Sequence, residues 1–433
     1  MGCCQGYPFV EGGERVFEVD TSRIAYGSGA MGELGLRARL LGMTRPFVVT
    51  DAGVAALDGF AAALAALRAS GCDPVVYAEA RVEPTNESFE AAIGAARAAR
   101  TDGYISIGGG SAIDTAKAAN LYVTHPAPFG AYVNAPVGEG RAVPAALLPH
   151  IACPTTAGTG SECTGIAIFD HLPIAAKTGI ASPYLRPSLA LIDPDWTATL
   201  PRLVAACSGF DVLAHALESY TARPYTQRPA GTPGKRPLSQ GANPFSDMAC
   251  LEALRLIGRY LVRAVCETDD AEARERMMFA ATLAGIGFNN AGVQLPHAMA
   301  YAVAGLVRDF RPADYPPGEA MVPHGMAVVV NAPAVFRATA AHAPQRHREV
   351  AAALGVAAHG EDDDEIGPAL AERIRALMTA CGMPPSLAAL GYGAADVPAL
   401  VAGTLPQQRL LANAPIATDE AVLERLFTAA LVA

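Results

Sequence analysis

Apolar positions in the first 200 residues follow two alternating patterns. Short continuous runs, PFVVT at 46–50, PVVY at 74–77 and YISI at 104–107, are bounded by turn residues and predict buried strands. Between them apolar residues recur at helical spacing: Leu57, Phe60, Leu64 and Leu67 within 54–69, then residues 86–100, then AIDTAKAANLY at 112–122. Strand and helix repeated in that order predict a parallel sheet with helices on its faces. Residues 124–150, rich in Pro, Gly and Ala, predict a loop, IACPTTAGTGSE at 151–162 a strand feeding a turn, and LALIDP at 189–194 a final strand. From Pro201, suited to the first turn of a helix, the pattern becomes helical: 201–222, 246–262, 270–288, 297–306, 322–336, 339–355, 364–380 and 418–431. The expected fold is an α/β nucleotide-binding domain over 1–200 and an all-α domain over 201–433. The long Pro- and Gly-rich segment 223–245 interrupts the helices and carries Arg223, Arg228, Lys235 and Arg236. A loop of that length is functional or disordered.

Composition narrows the class. The chain of 433 residues is 51% hydrophobic and 17% charged, which suits a compact enzyme with a full core in each domain. A net charge of -10 without a basic cluster argues against nucleic acid as a partner. No apolar stretch is long enough for a membrane span, and the expectation is of no membrane partner. The nine cysteines form no CxxC pair, and Cys3 and Cys4 are adjacent, so a disulfide framework and a thiolate zinc site are not expected. The N-terminus lacks a basic region followed by an apolar run, and Gly6 stands where a myristoylation signal needs Ser or Thr. A cytoplasmic protein is expected.

Three constellations carry candidate chemistry. Gly108-Gly109-Gly110-Ser111 ends a strand and opens a helix, where bare backbone and free N–H groups suit a phosphate, although a tight strand-to-helix turn has the same form. Gly27-x-Gly29-x-x-Gly32 also matches a dinucleotide pattern, but the run before it is short and polar and no long helix follows. Asp51 ends the strand 46–50, where a carboxylate can accept both hydroxyls of an adenosine ribose or simply cap a helix; the first role favours NAD over NADP. Pro154 to Glu162 is a second turn of small and hydroxyl residues, including Thr155 and Thr156, and Lys177 follows as a possible donor to the cofactor or a solvated lysine. In GFDVLAHALESY, Asp211 and His215 are spaced i and i+4, which puts both on one helix face about 6 Å apart and suits two ligands of one cation. His297 and His324 each follow a proline in an apolar setting and open a predicted helix. A lone histidine so placed is usually a core residue; three with a helical carboxylate point to Fe(II) or Zn(II) rather than Mg or Ca. The other histidines, His359 among them, lie in loops or beside charges.

With these residues in view, the chain resembles the iron-containing alcohol dehydrogenases along almost its whole length. The resemblance is carried by GGGSAIDTAKA at 108–118, PTTAGTGSE at 154–162, DVLAHALESY at 211–220 and the helices opening at His297 and His324. Within that family RVEPTNESF at 81–89, DTAKAANLY at 114–122, GFDVLAHALESYT at 209–221, AGIGFNNAGV at 284–293, GTLPQQR at 403–409 and the insertion after residue 222 are similar to the hydroxyacid–oxoacid transhydrogenase branch. The resemblance implies iron on Asp211, His215, His297 and His324, and NAD on Asp51, Gly109, Gly110, Ser111, Asp114, Thr155, Thr156 and Lys177, with Lys177 and Tyr301 as candidate catalytic groups. Tyr301 stands four residues after His297, where many family members have a second histidine. A phenol of ordinary pKa ~10 is a poor base near neutrality, so the usual histidine relay is not expected. The branch implies hydride transfer through bound NAD from 4-hydroxybutyrate to 2-oxoglutarate, and a homo-oligomer is expected. Such acids need a cation for the carboxylate remote from the reacting carbon; Arg228 and Arg236 are the candidates, unless they are solvated loop charges. Two other readings are a plain NAD-dependent dehydrogenase that releases NADH and a lyase related to dehydroquinate synthase.

Overall fold

The structure, a computed structural model, describes residues 7–174, 176–316, 320–356 and 363–432. Cys3, Cys4, Gly6 and His359 lie outside the described residues. The chain forms two units, Thr21–Leu200 and Pro201–Ala433 joined by Met1–Asp20.

The first unit is built on eight strands: β1 (Arg23–Tyr26), β2 (Pro46–Val49), β3 (Val75–Tyr77), β4 (Gly103–Gly108), β5 (His150–Pro154), β6 (Ile166–His171), β7 (Ala176–Ala181) and β8 (Leu189–Ile192). Six of them form a parallel sheet in the order β1-β8-β5-β4-β2-β3, while β6 and β7 pair as an antiparallel hairpin. Helices α1 (Leu34–Leu40), α2 (Ala52–Ala55), α3 (Asp58–Ala69), α4 (Asn86–Ala99) and α5 (Gly110–Thr124) connect or flank the strands. Strands β2, β4, β5 and β8 are buried at every position, as unbroken apolar runs in a parallel sheet require. Val48, Ile105 and Ile151 pack into one core with Phe60 and Leu67, whereas Phe47, Val49 and Tyr104 pack into another with Ala92 and Ala112. The alternation of side chains across the pleat puts a core on each face.

The sequence reading differs from the structure in instructive places. The predicted helix 54–69 is divided between α2 and α3 by Ala56 and Leu57. The polar run before Gly27 is an edge strand, β1, whose positions are only partly buried and therefore lack the apolar signal. The β6–β7 hairpin falls in a stretch assigned no strand; its Asp170, His171 and Lys177 interrupt the apolar alternation.

The second unit is helical: α6 (Arg202–Tyr220), α7 (Pro244–Cys266), α8 (Ala271–Ala291), α9 (Leu295–Gly305), α10 (His324–Val329), α11 (Ala332–Thr339), α12 (Pro344–Ala353), α13 (Asp363–Cys381), α14 (Val397–Thr404), α15 (Gln408–Leu411) and α16 (Glu420–Ala430). Helix α6 is buried almost all round from Ala206 and packs on α7, α8 and α10. A helix without a polar face must lie inside its unit. The described part of residues 1–20 joins this unit, not the sheet expected to contain it. Tyr7 donates to Asp247, the Glu18 N–H donates to Gln240 Oε1 at 2.9 Å, and Asn289 Nδ2 donates to the Asp20 carbonyl at 2.9 Å. No helix among the described residues is long and apolar enough to cross a membrane.

Candidate metal centre and nucleotide site

In the helical unit, α6 presents Asp211 and His215 one turn apart, α9 begins beside its cap with His297, and α10 opens with His324. The three imidazole Nε2 atoms converge on one oxygen. Asp211 Oδ1 lies 3.7 Å from His215, 3.5 Å from His297 and 3.7 Å from His324. Ligand atoms about 3.4 Å apart match a four-ligand shell with bonds of about 2.1 Å. Asp211 Oδ1 and His297 Nε2 are buried without a hydrogen-bond partner, an arrangement that a coordinated cation satisfies. Gly325 makes the convergence possible: a Cβ there would meet the Cys207 carbonyl at 1.9 Å, so only glycine lets α10 approach α6 this closely. The His324 side chain retains 23% exposure while those of Asp211 and His297 are at 4% and 3%, which gives the centre one open side. A catalytic metal site needs such an opening.

The electrostatics favour a positive charge at the centre. Burial opposes ionisation of Asp211, but the three histidines hold its carboxyl well below the usual carboxylate range. Burial drives His215 down to about 3, toward the neutral form a metal ligand requires. His297 is drawn up to about 9, since the charges of Glu218 and Asp211 outweigh its burial. Glu218 is fully buried; its Oε1 lies 2.6 Å from His297 Nδ1, and its Oε2 accepts from the Gln294 N–H at 2.7 Å. This carboxylate fixes the ring so that Nε2 faces Asp211. Phe288 stacks on the His215 ring at 4.1 Å between centroids. Sequence reasoning missed both supports. The signal for Glu218 was present: 211, 215 and 218 share the i, i+4, i+7 face of one helix. Tyr301 is buried one turn beyond His297, with its ring 6.4 Å from that of His324.

In the sheet unit, β2, β4 and β5 are neighbours, and their carboxyl ends bring together most of the expected nucleotide residues. Asp51 follows β2, Gly109, Gly110 and Ser111 follow β4, and Thr155 and Thr156 follow β5. Ligands of open parallel sheets bind at such strand ends. A Cβ on Gly110 would lie 2.5 Å from the Thr159 side chain, so the two turns fit only with glycine in that place. Asp51 caps α2, accepting from the Val54 N–H at 3.0 Å.

Two expected cofactor residues also have partners within the protein. Asp114 accepts from Ser161 Oγ at 2.5 Å, from Lys117 Nζ at 3.3 Å and from the Ile168 N–H at 2.9 Å. Lys117, fully buried and missed from sequence, also donates to Ser161 Oγ and the Ile166 carbonyl, both at 2.6 Å, and braces the turn that follows Thr156. Lys177 is buried between Glu83 at 2.7 Å and Asp170 at 2.9 Å. Those charges outweigh its burial and raise it above the usual lysine range, which favours the protonated form. Glu83 connects it to the glycine turn, because the Glu83 N–H donates to Ser111 Oγ at 3.3 Å. The candidates for substrate carboxylates also separate. Arg236 is paired with Glu14 at 3.0 Å and Glu18 at 2.8 Å, and it holds the Glu14 carboxyl down at about 2. Arg228 donates only to neutral oxygens, the Ser239 carbonyl at 3.2 Å and Asn413 Oδ1 at 3.1 Å.

The sequence matches two family profiles, iron-containing alcohol dehydrogenase over residues 21–194 and the C-terminal region of the Fe-containing alcohol dehydrogenase family over residues 238–431. It is 47% identical over 421 residues to a Xenopus tropicalis protein named mitochondrial hydroxyacid-oxoacid transhydrogenase, with 96% of this chain and 91% of that one covered. The Homo sapiens protein of the same name is 45% identical over 418 residues, 96% and 90% of the two chains. The chain belongs to the iron-containing alcohol dehydrogenase family. Solved members share its fold. The alcohol dehydrogenase of Oenococcus oeni superposes with a TM-score of 0.84 at 26% identity, covering 96% of this chain and 100% of its own. The sulfoacetaldehyde reductase of Bifidobacterium kashiwanohense, solved in complex with NAD+, gives 0.79 at 25% identity, covering 96% and 99%.

Membership bears on two expectations. Iron and a nicotinamide dinucleotide are the groups that the family's name and a solved member carry, and the residues above suit both. The cytoplasmic expectation does not stand, because the curated relatives are named mitochondrial. One ground was the cysteine pattern, with no CxxC pair in the sequence. Cysteine usage separates oxidising from reducing compartments and does not distinguish one reducing compartment from another. No disulfide joins the described cysteines.

Proposed function

We propose that the protein is a hydroxyacid–oxoacid transhydrogenase that moves hydride from 4-hydroxybutyrate to 2-oxoglutarate, giving succinate semialdehyde and 2-hydroxyglutarate, with NAD retained between the half-reactions. The observation that carries the reading is identity of 45–47% along nearly the whole chain with proteins of that name. The four-ligand centre supports it. When bound, Fe(II) on Asp211, His215, His297 and His324, with Zn(II) as the alternative, supplies a Lewis acid for the substrate oxygen, and NAD supplies the hydride carrier.

The chain's own groups prepare the site. Asp211 provides the one anionic ligand, and Glu218 orients His297. The Phe288 ring keeps water from the back of His215. Tyr301, whose ring lies beside that of His324, is our candidate to order a proton donor or a water at the open side. The start of α5 offers N–H groups to a diphosphate, and Asp51 offers a carboxylate oxygen to a ribose.

Purified metal-loaded protein given 4-hydroxybutyrate and NAD alone should show no sustained NADH release. Adding 2-oxoglutarate should yield succinate semialdehyde and 2-hydroxyglutarate in equal amounts. Steady NADH accumulation indifferent to 2-oxoglutarate would overturn the proposal in favour of a plain dehydrogenase. Metal analysis of protein prepared without air decides between iron and zinc.

A further inference from the structure

In the sheet unit the connection from β3 to α4, residues 78–85, runs across the carboxyl ends of neighbouring strands. It starts beside β2: the Thr50 N–H donates to the Tyr77 carbonyl at 2.9 Å, and the Ala80 N–H donates to the Thr50 carbonyl at 3.1 Å. It then reaches the glycine turn after β4, where the Glu83 N–H donates to Ser111 Oγ at 3.3 Å. Asp51, next to Thr50, has its Oδ2 3.5 Å from where a Cβ on Gly108 would stand. Segment 78–85 therefore passes the same strand ends that carry the candidate ribose and diphosphate groups.

Glu83 is held in a strained form. Its φ is +53°, a left-handed backbone that glycine adopts freely and a glutamate does not. Such strain persists only where neighbouring contacts fix it. Here they are ionic: Glu83 Oε2 lies 2.7 Å from Lys177 Nζ, and Asp170 Oδ1 lies 2.9 Å from the same nitrogen. The lysine side chain is 2% exposed, so losing either partner is costly. Asp170 belongs to the β6–β7 hairpin, and its N–H donates to the Pro84 carbonyl at 2.7 Å. The Leu172 N–H donates to Asn86 Oδ1 at 3.0 Å just beyond. The segment is thus fastened to β2 at one end and to the hairpin at the other, and Glu83 joins the hairpin to the glycine turn.

We infer that Glu83 is a positioning residue for the dinucleotide: through its pair with Lys177 it pins segment 78–85 against the glycine turn and slows the departure of NAD from the strand ends. The inference rests on the transhydrogenase reading, in which the cofactor stays bound between the half-reactions. Retention requires that the wall beside the cofactor not open during turnover, and loop movement sets the release rate in many enzymes. An irregular segment is mobile unless it is tied down. The ion pair and the hydrogen bond to Ser111 remove that freedom at the turn that opens α5, where the helix N-terminus is offered to the diphosphate.

The test uses metal-loaded protein and NADH, whose fluorescence reports binding. Glu83→Gln removes the charge and should speed NADH dissociation in stopped flow about tenfold or more. Given 4-hydroxybutyrate and NAD without an oxo acid, this variant should release NADH that the wild type keeps. Metal content and the KM for 2-oxoglutarate should stay within about twofold. Glu83→Gly loses the same carboxylate but relieves the left-handed backbone, so it should release NADH as fast. The relieved strain offsets part of the lost pairing and keeps the test open where Glu83→Gln fails to fold. Glu33→Gln, which breaks a surface pair with Arg37 in the same unit, is the control and should leave dissociation unchanged. Unchanged dissociation in Glu83→Gly, a parallel loss of metal, or the same acceleration in Glu33→Gln would overturn the inference. Wild-type protein that steadily accumulates NADH would contradict the transhydrogenase reading, while a tenfold difference in dissociation between it and Glu83→Gln would leave the role of Glu83 standing.

Discussion

The two units prepare for their ligands with different parts of the polypeptide. In Thr21–Leu200 the candidate site is mostly backbone: two glycine- and threonine-rich turns on adjacent strands, with a helix N-terminus behind one of them. Its charged side chains, Asp114, Lys117 and Lys177, are turned inward and hold the turns in place. In the helical unit the site is all side chain: a carboxylate and three imidazoles from three helices, brought within 3.7 Å of one oxygen. Backbone recognition requires that side chains be missing at the right places, whereas side-chain recognition requires helices to pack at the right distance. The first should fail through steric intrusion and the second through loss of a ligand or of its support.

The largest effect should come from the ligand set. Asp211→Ala is expected to abolish metal retention and cut turnover by roughly a thousandfold, several kcal/mol of transition-state stabilisation. Nucleotide affinity measured by fluorescence should change little, and a parallel loss of it would break the proposed separation of roles.

Next in size is the support. Glu218→Gln keeps the shape beside His297 and removes the charge, and metal affinity should fall about 10- to 100-fold in a chelator competition. Unchanged affinity would mean that Glu218 serves packing alone.

The mirror experiment strikes the other unit. Gly110→Val places side-chain atoms against Thr159, and NAD affinity by calorimetry should drop about tenfold or more while metal content holds. Loss of metal in that variant would contradict the comparison.

The smallest difference concerns acid. Each unit buries a neutral histidine: His150 beside Ser106 Oγ at 2.8 Å, pushed down to about 3, and His347 beside Thr339 Oγ1 at 3.0 Å, pushed down to about 4, both by burial first. The unfolded chain takes up these protons at about 6.5 and the folded chain does not, so the stability they confer is complete above that pH and is lost as pH falls toward 4 and 3. At pH ~5 each contributes a loss of up to about 2 kcal/mol. Urea unfolding at pH ~7 and ~5 should show it, and His347→Gln should reduce it by about half. An unchanged pH dependence in that variant would remove His347 from the account.

Legibility followed the same division. The central strands β2, β4, β5 and β8 were readable because a parallel strand buried on both faces must be apolar throughout. Edge strand β1 and the β6–β7 hairpin were not, because partial burial and inward ion pairs hide the pattern. Asp211 and His215 were readable as a pair because helix geometry alone sets their spacing. Asp114, expected by its motif to serve the cofactor, also hydrogen-bonds within the protein to Ser161 and the Ile168 N–H, contacts that sequence does not show because it does not say which way a helix turns its faces.

The sequence by itself determined the periodicities, the glycine turns and the residue types of the metal centre, all of which are local or set by one helix. Tertiary structure alone decided that His297 and His324 meet Asp211 and that Arg236 is already neutralised by Glu14 and Glu18. These outcomes depend on side chains far apart in the chain sharing one small volume, and packing across helices, not spacing along them, fixes which charges find partners.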